Sequence, residues 1–180
     1  RLQGDWSSDV CSSDLMLKLL ALEGQNWTYQ KLAQELGMSS SEVHTAVKRC
    51  EEAGLYNQHT RQPNRHALKE FMVHGLRYVF PAKPGPMVQG LPTSYAGPVL
   101  AGKIRFDNSE LPVMPLLHGP ARGPEIRPLH HSAPQAARSD LKLYEYLSLV
   151  DALRTGLARE RKLAVEALDR MMAVDGSALK

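Results

Sequence analysis

The residues best equipped for chemistry in this 180-residue chain are Ser40, Ser41, His44, Thr45 and Lys48. Their spacing places them on one side of a helix, because positions three, four and seven apart share a face. Two kinds of donor and acceptor stand there, short hydroxyls with an imidazole and one long amine. Such a set suits base edges and phosphates of a nucleic acid better than it suits bond making or breaking. Thr28 lies just upstream on the same segment, and His59, Arg61 and Arg65 follow in a short basic stretch that either touches phosphate or stands in solvent. Chemistry of other kinds lacks its residues. The phosphate-cradling G-x-x-x-x-G-K-[ST], the G-x-S-x-G elbow, C-x-x-C pairs and H-E-x-x-H are all absent, so no enzyme activity and no cofactor is expected. His118, His130 and His131 come without a cysteine or carboxylate framework, and His74 stands apart, so no metal site is expected either.

Two helices must position the candidate face. Thr28 caps the first, whose Tyr29, Leu32, Ala33 and Leu36 fall at the i, i+3, i+4, i+7 spacing of a buried stripe. Gly37 ends it, since glycine accepts the left-handed backbone of a tight turn, and Met38 supplies an apolar side chain under that turn. Ser39 and Glu42 then stand in S-x-x-E register, a reciprocal cap for a second helix. Val43, Ala46, Val47 and Cys50 are its buried stripe, Gly54 its stop, and with Glu42 taken up by the cap the outer face carries no acid before Glu51 and Glu52.

This pair of helices resembles the helix-turn-helix of bacterial winged-helix regulators of the MarR-like kind, through Ala33, Gly37 and Val43, over roughly Leu17 to Leu55. In that family the small residue lets the second helix cross the first, the glycine makes the turn and the valine anchors the recognition helix. The resemblance implies a cytoplasmic transcription regulator that binds double-stranded DNA as a homodimer. A recognition helix at about 40–53 would enter the major groove, and Thr28, Ser40, Ser41, His44, Thr45, Lys48, Arg61 and Arg65 would be the DNA-binding residues. A second resemblance is of another kind: Asp5 to Leu15, DWSSDVCSSDL, is similar to the translation of a sequencing adapter, so residues 1–15 are expected to be foreign to the fold.

The chain carries 22 basic and 19 acidic residues, a net charge of +3. Setting residues 1–15 aside leaves 21 basic against 16 acidic, a surplus of +5 that permits an anionic partner without demanding one. It also removes Cys11. Cys50 is then the only thiol, placed as a small core residue, and no internal disulfide is possible. No run of about 18 apolar residues occurs, so membrane insertion is not expected.

The remaining elements give a mainly α fold. Met16 to Leu22 is an apolar first helix, and Trp27 should staple the turn that follows it. Between Leu55 and Pro63, where the family has its β-hairpin wing, no alternating pair of strands is visible, only a polar basic loop. A helix is expected from Arg65 to about Leu76, with Leu68, Phe71, Met72 and Leu76 buried, then a short strand-like run Arg77 to Phe80. The N-terminal helix-turn-helix domain would thus span 16–80. A Pro/Gly-rich extended segment with little regular structure is expected over 81–131, because eleven of the twelve prolines lie between Pro81 and Pro134. Its apolar residues, among them Tyr95, Val99, Leu100, Phe106, Val113, Met114 and Ile126, call for partial packing on the N-terminal domain.

A C-terminal helical region follows at 132–175. Ser139 or Asp140 should cap its long helix, with Leu143, Tyr144, Leu147, Val150, Leu153 and Leu157 apolar and the pattern resuming after Gly156. That helix is either a dimer seam, a surface for a protein partner, or packed against its own chain. Two functions remain open, a sequence-specific DNA-binding regulator and a protein-interaction module such as an antitoxin-like partner of a neighbouring toxin.

Overall fold

A computed structural model describes residues 6–104 and 110–173, with side chains from residue 13 onward. Its N-terminal half is helical: α1 (Trp6–Ala21), α2 (Tyr29–Leu36) and α3 (Ser40–Glu52) form a trihelical unit in which α3 packs on both α1 and α2. Leu15, Met16, Leu17, Leu20, Leu32 and Val43 are fully buried in it. Helix α1 therefore does not begin at Met16, and Asp14 and Leu15 are part of the packed interior. The expectation that residues 1–15 stand outside the fold fails at those two positions.

The wing is present in miniature. Strands β1 (Tyr56–Asn57) and β2 (Gln62–Pro63) pair antiparallel, joined by a turn in which Asn57 Oδ1 accepts the backbone N–H groups of His59 and Thr60. Two residues per strand are too few to show an alternating pattern, which is why the sequence reads as a loop. After the Asn64 cap, α4 (Arg65–Glu70), a π-helical turn Phe71–Gly75 and α5 (Leu76–Val79) form one continuous helical stretch. The strand expected at Arg77–Phe80 is thus mostly helix. Tyr78 and Val79 have strand preferences, but the helix propagates through them and stops at Phe80, the residue before Pro81, where proline disfavours α geometry.

The proline-rich segment holds more regular structure than its composition announces. Strand β3 (Met87–Pro92) is the centre of a three-stranded antiparallel sheet with β4 (Val113–Pro115) on one side and β5 (Ala121–Pro124) on the other. Prolines end all three strands, where a missing donor costs little. Gly90 has no room for a side chain, because a Cβ there would run into the Met114 carbonyl. Val113, Met114, Ile126 and Leu100 are buried, but the main contacts of this segment are with the C-terminal helices rather than with the N-terminal domain expected from the sequence, and Phe106 lies outside the described residues.

The C-terminal elements are α6 (Ala133–Ser139), α7 (Leu141–Thr155) and α8 (Ala158–Met172). Asp140 caps α7, its Oδ1 accepting the Leu143 N–H at 3.0 Å, and the break at Gly156 falls where the sequence puts it. Helix α7 is the central strut of the molecule, packed by α1, α5, α6, α8 and a 3-10 turn at Ser94–Ala96. Residues 146–154 are all buried, so α7 has no exposed apolar seam to offer a second chain. Leu157, counted with its apolar side, is exposed instead.

Polar side chains on α7 are buried because they stitch the proline-rich segment in place. Asp151 accepts from Thr93 at 2.7 Å and from Arg154 at 2.8 Å, while Arg154 also donates to the Phe80 and Arg127 carbonyls. A buried ion pair is tolerated when its remaining hydrogen-bonding capacity is used in this way. A second tie joins three helices. The Lys18 ammonium lies 2.8 Å from Glu35 and 2.6 Å from Asp140, linking α1, α2 and the start of α7. Burial works against that charge, yet the two carboxylates hold Lys18 above its usual value.

Candidate nucleic-acid interface

The geometry of α2 and α3 follows from three local devices. Thr28 Oγ1 accepts the Lys31 N–H at 3.2 Å and starts α2. Gly37 turns the chain at φ 65°, a left-handed conformation that a side chain resists, and its N–H together with that of Met38 closes on the last carbonyls of α2. Ser39 and Glu42 form the reciprocal cap: Ser39 Oγ accepts from Glu42 N at 3.2 Å, and Glu42 Oε2 accepts from Ser39 N at 2.7 Å. Those bonds from the Ser39 side chain and backbone hold the Glu42 carboxyl below its ordinary range, so it stays ionised at the positive end of the helix.

With Val43, Ala46, Val47 and Cys50 buried, the opposite face of α3 is fixed. Ser40, Ser41, His44, Thr45 and Lys48 are all exposed on it. The His44 ring lies 5.4 Å from that of Tyr29, which ties this face to the first turn of α2 where Thr28 is also exposed. Six of the eight candidate residues therefore share one surface. Trp27, Thr28, Tyr29, Tyr56, Gln58 and Arg61 line a shallow groove between that surface and the wing.

The two arginines are placed differently. Arg61, at φ 54° on the wing, stacks its guanidinium 4.4 Å from the centre of the Trp27 ring and donates to the Trp27 carbonyl at 3.0 Å. It braces the wing against the start of α2. Arg65 donates to the Met172 carbonyl at the end of α8, so it closes the fold rather than joining the α3 face.

The sequence reading missed one neighbour of the site. Ser132, just before α6, donates to the Leu36 carbonyl at 2.5 Å and packs beside Gly37, bringing the segment that carries His130 and His131 to the turn between α2 and α3. A contact spanning 96 residues leaves no local pattern to find. Among the described residues no three His, Cys, Asp or Glu side chains are grouped to hold a metal ion, and no helix is long and apolar enough to cross a membrane.

A capped pair of helices meeting at a left-handed glycine, followed by a short hairpin, defines a helix-turn-helix of the winged type. Residues 17–55 match the family model of winged helix-turn-helix DNA-binding domains. No curated protein and no solved structure shows a significant match to the chain.

Proposed function

We propose that this protein is a sequence-specific DNA-binding transcription regulator in which α3 enters the major groove. The observation that carries the proposal is the exposed face Ser40, Ser41, His44, Thr45, Lys48, held on a helix whose other face is wholly buried. The short residues near the helix N-terminus are placed to read base edges, and Lys48 reaches phosphate or a guanine edge. Ala33, Gly37 and Val43 support the narrower MarR-like reading, since Ala33 and Val43 are buried at the crossing and Gly37 makes the turn. A homodimer with two half-sites fits this mode of recognition, in the cytoplasm where the DNA is. Because α7 is enclosed by its own chain, a dimer would use another surface.

Selection of bound duplexes from a random pool tests the proposal. Enrichment of a short motif supports it, and absence of any enrichment moves the protein to the interaction-module class. We also infer that residues 5–15 are foreign in origin, on the resemblance to a translated adapter, with Asp14 and Leu15 nonetheless taken up into the packed interior.

A further inference from the structure

Tyr29 is the one member of the α2 stripe that the core does not enclose. Leu32, Ala33 and Leu36 are buried, whereas Tyr29 is half-exposed and its ring meets side chains outside the core. It touches two other rings. Trp27 packs against it edge to face, with 5.3 Å between centres and 84° between planes, and the exposed His44 ring lies 5.4 Å away at a tilt of 46°. Trp27 is itself held fast: it is buried, lies edge-on to Tyr56 at 6.4 Å, carries the Arg61 guanidinium over its ring and donates Nε1–H to the Arg61 carbonyl at 3.4 Å. A chain of ring contacts thus runs from the braced wing through Trp27 and Tyr29 and ends on His44, on the exposed face of α3.

We propose that Tyr29 is a positioning residue for base reading: its ring holds His44 in one orientation on α3 and so sets the sequence preference without touching a base. The inference rests on the DNA-binding reading. An exposed imidazole on a helix has several rotamers open to it, and a ring free to swivel can satisfy more than one base edge. Aiming its donor and acceptor before DNA arrives restricts it to one pattern and spares the cost of ordering it on binding. Tyr29 itself stands on the first helix of the pair, which crosses the sugar-phosphate backbone and does not enter the groove.

Tyr29→Leu removes the ring and keeps an apolar side chain against the core, while Tyr29→Phe keeps the ring. The affinity for a duplex carrying the selected motif, relative to a mixed-sequence duplex, is measured by fluorescence anisotropy for wild type, both variants, His44→Ala and the double variant Tyr29→Leu with His44→Ala, each first shown to be folded by its thermal melt. The ratio should fall by about fivefold or more in Tyr29→Leu, the scale of one lost base contact, with the mixed-sequence affinity unchanged. Tyr29→Phe should keep the wild-type ratio, because the contact is between rings. In the His44→Ala background Tyr29→Leu should have no further effect, since the two residues act as a unit. An unchanged ratio in Tyr29→Leu, a loss that adds fully to that of His44→Ala, or an equal loss in Tyr29→Phe would overturn the positioning role while leaving the DNA reading intact. Wild type alone supplies a check that needs no variant to fold: its NMR spectrum should show cross-relaxation between the Tyr29 and His44 ring protons, and its absence would overturn the inference too. A wild type that binds no duplex at low salt, or enriches no motif, would instead remove the sequence-specific DNA reading and this inference with it.

Discussion

Asp14 offers the sharpest test of the packing described above. Its carboxyl is wholly buried in α1, neither oxygen has a well-formed hydrogen bond, and the His130 backbone N–H gives only partial relief. Burial, and secondarily the negative charge of Asp151, push it from the ordinary 3.8 up to about 8 against the opposing pull of Arg154. In the unfolded chain the same group ionises near 3.8. The folded state therefore binds an extra proton between those two values, and stability falls as pH rises through that window and levels off above it. From 3.8 to about pH 7, at about 1.4 kcal/mol per pH unit, the cost is on the order of 4 kcal/mol, a large share of a domain's net stability.

Asp14→Asn removes the titration while keeping the shape. Urea denaturation at several values between about pH 5 and pH 8.5 should show the variant gaining on wild type steadily as pH rises, by a few kcal/mol in all. The amide brings donors of its own that need partners, at about 1–3 kcal/mol, so the change in the difference with pH is the quantity that decides, not its value at one pH. Asp151 is raised by its own burial and titrates in both proteins, although its coupling to Asp14 makes the measured step a property of the pair. Parallel pH profiles for the two proteins would refute the reasoning.

Three further substitutions probe the frame that holds the exposed face of α3. Leu15→Ala should cost about 2–5 kcal/mol in urea denaturation, since it empties a fully buried site; a loss below about 0.5 kcal/mol would show that α1 packs only from Met16 onward. Lys18→Met should cost about 2 kcal/mol at neutral pH by leaving Asp140 without its cation and Glu35 with only the more distant Lys31, discounted because both carboxylates keep some contact with water. Ser39→Ala breaks the reciprocal cap and should lower stability by about 1 kcal/mol in a thermal melt, with an unchanged melt arguing against a formed cap.

How much of this was legible in the sequence depended on how local the cause was. The Thr28 cap, the Gly37 turn and the Ser39–Glu42 box each act within four residues, and each is found where the residue types put it. The long C-terminal helix, its Asp140 cap and its break at Gly156 were legible for the same reason. Its role was not. Asp151 and Arg154 look like part of a solvated face, yet Thr93, Phe80 and Arg127 supply their partners from distant parts of the chain, which is how α7 comes to be enclosed. The central sheet was hidden because Pro92, Pro115 and Pro124 sit at strand ends, where composition alone reads them as breaks. Of the candidate site, the α3 residues and Thr28 followed from periodicity and capping, whereas the ties of Arg61 to Trp27 and of Arg65 to Met172 depend on tertiary placement.

The central claim is that the exposed face of α3 binds duplex DNA, and the salt dependence of binding by Lys48→Ala tests it most directly. Lys48 is exposed and lies off the Val43, Ala46, Val47, Cys50 stripe, so the variant should fold and melt as wild type does. If Lys48 contacts phosphate, the variant should bind a duplex carrying the selected motif more weakly, with the slope of log affinity against log salt reduced by about one. An unchanged affinity and slope would contradict the placement of α3 in the groove, and a folded wild type with no duplex affinity at low salt would contradict DNA binding itself.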